Sequence, residues 1–473
     1  MKVNEIKEEP RIDVGVVTAK EIAFCLHKAA FLEVYRSTKT NKLLCEDKIL
    51  LPEGEYRAKV ENGRLSLYYG SQTLLQAGHR YRFVALEEAE QEAFFSLHEV
   101  RIGIDFHWDR TQEQCFVGEL HLQMDEDSVI AINRLPLEDY LLSVIASEMS
   151  AHAGLELLRA HAIISRSWLL AQGLGKHLQP QAKTTEQKNV CGYDTETEHI
   201  RWYERDAHLL FDVCADDHCQ RYQGLQQATT PQVKEALRST RGMVLACQGE
   251  ICDARFYKCC GGRTEHFQAA WADEPKPYLK SVVDDADSDH AMRPALDLCD
   301  EEQARRFIET TPAAFCNTSN RAILQQVLND YDQETADFYR WEQGYSAEEL
   351  SQIVKERSGI DFGRIQALVP VERSDSGRLV KLKIVGDKRS LIVGKELEIR
   401  KFLSRTHLYS SAFVVDEIKD SQGQISHFVL KGAGWGHGVG LCQIGAAVMS
   451  HQGYQHQQIL KHYYPHTDII QLY

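Results

Sequence analysis

Four groups of side chains in this sequence could do chemistry. The first is an acid and a base on two adjacent helices. Glu148 shares a stripe with Leu137, Leu141, Val144 and Ile145, at three- and four-residue steps, so a helix here puts a carboxylate on an apolar face. It also stands at the helix end, before the break Ser150-Ala151-His152-Ala153-Gly154, where the helix dipole disfavours negative charge. Burial and dipole both push a carboxyl pKa upward, as a general acid working near neutral pH requires. The next helix repeats the pattern with opposite charge, because Leu158, Ala162, Arg166 and Leu170 form an i, i+4 row. An internal Glu148–Arg166 ion pair explains both residues as well as catalysis does, and spacing leaves that choice open.

The second group is His208, Cys214, His218 and Cys219. Two thiolates beside two imidazoles match Zn²⁺ in softness, and a three-ligand set leaves one coordination position open, although the spacing is not that of a zinc finger. The third runs from Phe256 to Glu265, where Gly261-Gly262 permits close backbone approach to a ligand and Thr264 and Glu265 add polar groups. Cys259 and Cys260 precede those glycines; a thiol nucleophile with His266 as base is one reading, and structural cysteines are the plainer one. The fourth is Gly434 to Ala446, with glycines at 434, 436, 438, 440 and 445, too many for a helix or strand at its start. It reads as a tight loop entering a helix near Gln443, holding His437 and Gln443 where a sugar or acetamido group could meet them. A phosphate loop is the competing reading, but neither GxxxxGK[ST] nor GxGxxG spacing occurs.

The elements that position these groups read as α+β. Residues 1–100 form an N-terminal β-rich module, with alternation at Ile12, Val14, Val16 and at Ile22, Phe24, Leu26. Asn62-Gly63 makes a hairpin turn between two alternating runs, and Val100 to Trp108 continues the strand pattern. A mixed α/β core follows in two parts, 101–283 and 359–473, separated by an acidic, partly helical insertion at 284–358. Pro136 suits a first helical position. Gln179 to Ile200 reads as loop, and Thr240 to Cys252 as a short strand pair around Gly249. Ser346-Ala-Glu-Glu349 reads as a capping box for a helix ending at Gly359, and strands follow at Ile365–Arg373 and Leu379–Val385. His451, His456, His462 and His466 share no helical face and read as surface residues.

Several of these stretches together resemble the SpoIID/LytB family, of stage II sporulation protein D and amidase-enhancer relatives. They are Asn133-x-x-Pro-Leu-Glu-x-Tyr-Leu, Ala146-Ser-Glu148-Met149, Arg159-Ala-His-Ala162 and Ser165-Arg166-Ser, then Phe256 to Glu265 with Trp271, and the box Gly434 to Ala446. The resemblance implies lytic transglycosylation of peptidoglycan glycan strands, with Glu148 as the single acid/base and Arg166 in substrate placement or charge stabilisation. It implies substrate contacts from Gly261, Gly262, Thr264, Glu265, Trp435, His437 and Gln443. It selects His208, Cys214 and Cys219 as zinc ligands ahead of a Gln220-x-Tyr222-x-Gly224 element, with His218 as the spare. It also carries two alternatives, a non-catalytic partner of a cell-wall amidase and a cytoplasmic sugar-binding scaffold.

Composition sets the outer limits. With 54 basic and 69 acidic side chains the net charge is −15, which disfavours nucleic-acid binding as a global role. No apolar run approaches a transmembrane length, and the polar stretch Met1 to Arg11 is unlike a signal peptide, so the chain reads as cytoplasmic although the family's substrate lies in the envelope. Thirteen cysteines without small-domain spacing read as mostly reduced and buried.

Overall fold

The computed structural model describes residues 1–37, 43–87, 92–103, 110–175, 190–203, 208–216, 219–225, 230–285, 296–327 and 337–473. The fold is mixed α and β. Alternating apolar residues drive the first part of the chain into two sheets. One runs in the order Val213–Cys214, Arg11–Ala19, Ser128–Pro136, Glu119–Asp125, Arg80–Ala85, Ala30–Ser37, Leu43–Leu51. The other runs Arg110–Phe116, Phe95–Ile102, Glu21–Leu26, Gly54–Glu61, Arg64–Tyr69, Gln72–Gln76. Phe24 of the second sheet meets Phe83 of the first edge to face, with ring centroids 5.3 Å apart. Asn62 and Gly63 take φ of 51° and 69° between the paired Glu61 and Arg64, the mirror-image turn that a twisted hairpin favours. Sheet structure does not stop at residue 100, since Glu119–Asp125 and Ser128–Pro136 are interior strands. The continuation expected at Ile104, Phe106 and Trp108 lies outside the described residues.

Strand Ser128–Pro136 passes directly into helix α1 (Leu137–Glu148), and α2 (Leu155–Ala171) follows. Pro136 is the residue before the first helical one, and Leu137 N–H donates to the Pro10 carbonyl at 3.0 Å. Both helices are buried nearly all round and not on one stripe: Tyr140, Leu142, Ser143, Ala146 and Ser147 are buried with the expected face, leaving Glu138, Asp139 and Glu148 partly exposed in α1.

Arg166 has no exposed surface. Its Nε and Nη2 donate to the two oxygens of Glu138 at 2.9 and 2.7 Å, and Nη1 donates to the Met243 carbonyl at 2.9 Å. Glu138 also accepts from Gly242 N–H (3.2 Å) and from the Tyr473 hydroxyl (2.7 Å). The internal ion pair therefore exists, but its acid is Glu138, about 15 Å along α1 from Glu148 by helical rise. It binds α1, α2, strand Met243–Cys247 and the C-terminal residue into one knot.

A second hydrophobic core lies between a five-stranded sheet (Val190–Asp194, Glu198–Tyr203, Ser390–Gly394, Leu379–Gly386, Ile365–Arg373) and a three-stranded one (Arg340–Ser346, Ile425–Ala433, Phe413–Lys419). The stretch read as loop up to Ile200 thus contains strands, Val190–Asp194 paired with Glu198–Tyr203. Ser346 caps helix Ala347–Ser358 by accepting Glu349 N–H at 3.1 Å, and Gly359 ends it at φ 72°. The final strand, Asp468–Gln471, returns to pair with Met243–Cys247. Of the four late histidines, His451 and His466 are exposed, while His456 binds Glu156 at 2.7 Å and His462 packs on Phe315. Among the described residues no helix is long and apolar enough to cross a membrane.

Glu138→Gln leaves the buried guanidinium of Arg166 without its counter-charge. Urea unfolding should show a loss of about 3–5 kcal/mol, the cost of breaking one side of a buried pair; a loss well under about 1 kcal/mol would mean that the knot does not hold the helices.

Candidate active site and metal centre

Glu148 is the last residue of α1 and is half-buried, so it is not enclosed by leucines as its spacing predicts. Its Oε1 accepts the backbone N–H of Arg221 at 2.8 Å. That amide belongs to a strap, residues 219–223, laid along α1. Gln220 is fixed at both ends: the Tyr140 hydroxyl donates to its Oε1, and its Nε2 donates to the Ser165 carbonyl, each at 3.2 Å. Tyr222 stacks on Tyr140 with centroids 5.2 Å apart and donates its hydroxyl to Asn133 Oδ1 at 2.5 Å. Gln223 N–H donates to Ser143 Oγ at 3.1 Å. Gly224 then turns at φ 63°, where a Cβ would come within 2.2 Å of the Cys115 carbonyl oxygen.

The strap begins at the Cys/His cluster. His208 Nε2 lies 3.3 Å from Cys219 Sγ, and the ligand atoms of His208, Cys214 and Cys219 all fall within 4.8 Å of one another. Tetrahedral zinc with bonds of about 2.0 Å to nitrogen and about 2.3 Å to sulfur would set N···S near about 3.6 Å and S···S near about 3.8 Å. The His208–Cys219 separation of 3.3 Å is close to the first of these and all three donors lie within 4.8 Å, and they have the softness zinc prefers, so these three residues could hold one metal ion. Val213–Cys214 is placed by parallel pairing with Val14 and Gly15, and the Phe211 ring occupies the space where a Cβ on Gly15 would sit. His218 lies outside the described residues.

The two glycine-rich segments do come together. Phe256–Tyr257 pairs in parallel with Leu441–Cys442, and Cys259 exchanges backbone hydrogen bonds with Trp435 at 3.1 and 2.8 Å. Gly261, at φ 73°, would put a Cβ 2.6 Å from the Gly434 nitrogen. The close backbone approach it permits is therefore that of the box itself, and not a ligand's. Gly262, at φ 109°, faces the Phe307 ring and the Tyr339 hydroxyl. The Thr264 hydroxyl is spent on the backbone, donating to Lys280 O (2.8 Å) and accepting Val282 N–H (2.7 Å). Glu265 is fully buried and accepts from His266 N–H and the Ser376 hydroxyl, both at 2.6 Å, and from the Ser374 hydroxyl. Burial raises its pKa against the pull of Arg378 and those hydrogen bonds.

His437 sits between the rings of Tyr257 and Trp271. Its Nε2–H donates to the Phe256 carbonyl and its Nδ1 accepts Val439 N–H, both at 3.1 Å, which fixes a neutral imidazole. Burial, then the charges of Arg255, Arg400 and Arg378, hold its pKa well below the ordinary value. Gln443 is the buried first residue of helix Gln443–His451, and Trp435 packs on Tyr409 with centroids 4.2 Å apart. Of the residues expected to meet substrate in these two segments, Thr264, Glu265 and Gln443 are thus turned into the structure, while Trp435 and His437 keep some exposed surface. Cys259 and Cys260 are buried, and His266 Nε2 is engaged by Asp375 at 2.8 Å, so no thiol–imidazole pair forms there.

Comparison with known proteins places these features. Residues 125–246 match the family model of the Stage II sporulation protein (SpoIID), the span that holds α1, α2, the cluster and the strap. Residues 265–440 match a domain of unknown function, DUF8618. Residues 125–246 thus form a SpoIID-like segment of the chain. Stage II sporulation protein D of Bacillus amyloliquefaciens is 24% identical over 339 residues, covering 72% of this chain and 75% of that protein. Its namesake in Bacillus subtilis (strain 168) is also 24% identical, covering 72% and 76%. An uncharacterized protein of Brachyspira hyodysenteriae is 22% identical over 356 residues, covering 75% and 72%.

The sequence reading missed the residues that aim Glu148. Asn133 and Tyr140 signalled themselves as polar groups within otherwise apolar elements, which says that a partner exists without naming it, whereas Gln220 and Tyr222 stand in a polar stretch that carries no such signal.

His161 extends the wiring from α2. It is fully buried, edge-on to Phe256 with centroids 4.7 Å apart, and burial pushes its pKa from 6.5 down to about 3. Below 6.5 the unfolded chain takes a proton that the native chain refuses. Stability is therefore whole above about pH 6.5 and is lost as pH falls towards about 3, by up to about 1.4 kcal/mol per pH unit. His161→Leu should flatten this acid limb in pH-dependent urea unfolding; an unaltered limb would assign it to other groups.

Proposed function

We propose that this protein cleaves the β-1,4 bond between N-acetylmuramic acid and N-acetylglucosamine in peptidoglycan glycan strands by lytic transglycosylation. The observation that carries the reading is Glu148, a half-exposed carboxylate at a helix end, aimed by the Arg221 amide and set beside a Cys/His cluster inside a SpoIID domain. The two Bacillus relatives are named for stage II of sporulation.

One acid suffices for this chemistry. A hydrolase needs a second carboxylate to activate water or to act as nucleophile, whereas a transglycosylase uses the sugar's own C6 hydroxyl. Glu148 donates its proton to the leaving glycosidic oxygen as the C1–O bond breaks. The carboxylate so formed takes the C6 hydroxyl proton as that oxygen bonds to C1, which closes the 1,6-anhydro ring and returns Glu148 to its acid form. Glu265, one candidate for a second carboxylate, is committed to its serine and amide donors. Arg166, committed to Glu138, serves by fixing α1 against α2, not by touching sugar.

Zinc is the metal that His208, Cys214 and Cys219 fit. Bound there, it would cross-link the segment that precedes the strap and so stiffen the amide that orients Glu148. The reading requires access to the glycan strands of the cell envelope.

Purified glycan strands, with and without stem peptides, should yield 1,6-anhydro ends by mass spectrometry. Glu148→Gln should lower the rate at least about 100-fold, the usual scale for a general acid–base, with the thermal unfolding midpoint unchanged. Hydrated reducing ends would mean hydrolysis. Absence of cleavage, with Glu148→Gln stimulating a cell-wall amidase as well as wild type does, would make the protein a non-catalytic partner.

A further inference from the structure

A second, larger group of metal-binding side chains lies away from Glu148, at the point where the two glycine-rich segments meet the region matching DUF8618. The sulfurs of Cys260, Cys316 and Cys442 and a carboxylate oxygen of Asp284 all fall within 4.8 Å of one another, and all four residues are buried. Cys260 Sγ and Cys316 Sγ are 3.3 Å apart. We propose that Cys260, Asp284, Cys316 and Cys442 form a second metal site, holding one structural zinc-class divalent ion.

Three observations support this. The first is spacing. A disulfide would hold two sulfurs at about 2.05 Å, while three thiolates and one carboxylate around a single tetrahedral ion lie about 3.5–3.8 Å apart. An iron–sulfur cluster places several irons between its cysteine sulfurs and would spread them further than these are spread. The second is the shell around the ligands. Backbone N–H groups point at the sulfurs, Cys260 N–H at Cys442 Sγ (3.2 Å), Gly262 N–H at Cys260 Sγ (3.4 Å) and Gly445 N–H at Cys442 Sγ (3.4 Å). Asp284 is oriented by the Tyr463 hydroxyl on Oδ1 (2.6 Å) and by Cys316 N–H on Oδ2 (2.9 Å). Such outer hydrogen bonds are what fixes ligands and lets thiolates persist in a closed structural site.

The third is charge. Asp284 has no exposed surface, and among the described residues the one basic group within 4 Å of its carboxylate is His462, whose Nε2 is buried, without a hydrogen-bond partner and 3.8 Å from Oδ1. A carboxylate in an apolar interior is costly to bury without a counter-charge, and three thiols beside it are the soft donors that a zinc-class cation would take up as thiolates.

The position gives the ion a task. Cys260 and Cys442 lie just outside the two ends of the DUF8618 match, whereas Asp284 and Cys316 lie within it. Cys442 also caps helix Gln443–His451 by accepting Gly445 N–H. One ion would therefore clamp the 265–440 region to the rest of the chain and hold the two glycine-rich segments together.

The site does not depend on the catalytic reading, and metal analysis separates it from the His208 cluster. The full chain, expressed in zinc-supplemented medium and desalted, should carry two zinc ions by elemental analysis and native mass spectrometry. Cys219→Ser should carry one, Cys316→Ser one, and the double variant none. X-ray absorption at the zinc edge of Cys219→Ser should show three sulfurs and one oxygen, a measurement that stands even if Cys316→Ser does not fold. A wild-type protein with one zinc that vanishes in Cys219→Ser would overturn the proposal, as would a metal-free Cys260–Cys316 disulfide in wild-type protein prepared under reducing conditions.

Discussion

The backbone N–H of Arg221 holds one oxygen of the Glu148 carboxyl group at 2.8 Å. A hydrogen bond of this kind stabilises by about 0.5–1.5 kcal/mol, enough to favour one rotamer at a helix end where the side chain is partly exposed. The amide can do so only if its strap stays in register with α1. That register comes from Gln220 and Tyr222, each anchored at two points, and from Tyr140 and Ser143 on the helix. Removing one anchor would leave Glu148 in place but unaimed. The energetic centre of the site is thus a polar network around the acid, and not the acid itself.

Much of the fold was legible. Period-two alternation identified the strands through Leu26 and the hairpin at Asn62-Gly63, and an N-capping serine with a following glycine bracketed helix Ala347–Ser358. Helical periodicity failed in one instructive way. It assumes one wet face, but α1 and α2 are core helices buried on almost every side, so a charged residue on them is not marked as odd by its stripe. Glu148 stood out for the wrong reason, since it is at the accessible end. Arg166 stood out for the right one, but its partner, twenty-eight residues back at Glu138, could not be chosen from spacing because Glu148 competed for the same role.

The glycine-rich segments were legible as tight loops but not in what they approach. Closely spaced glycines signal that something comes near the backbone, and ligand and protein give the same signal. Here Gly261 admits the box, and Gly440 brings its own Cα close to Arg255, where a Cβ would sit 2.0 Å from the carbonyl oxygen. The consequence is that the two segments pack as one rigid unit. Thr264 and Glu265 then follow inward, and the side chains left partly exposed here are Trp271, Trp435 and His437, with the buried Tyr257 ring against the imidazole.

The N-terminal sheet gains a role that its sequence did not announce. Its residues show no chemical constellation, and a packing module is the natural reading. Yet Cys214 is positioned because Val213–Cys214 adds to the edge of that sheet beside Val14 and Gly15. Asp212 N–H and Ala215 N–H bond to the carbonyls of Asp13 and Gly15 at 2.8 and 2.9 Å, so the short strand is held on both sides of the thiol. Gly15 is the enabling residue, since any side chain there would displace the Phe211 ring on which His208 packs. Two of the three cluster ligands are thereby set by a strand two hundred residues earlier in the chain. The Ala215 carbonyl in turn accepts Tyr222 N–H at 2.9 Å, so the strap that carries the Arg221 amide is tied by backbone hydrogen bonds to the N-terminal sheet.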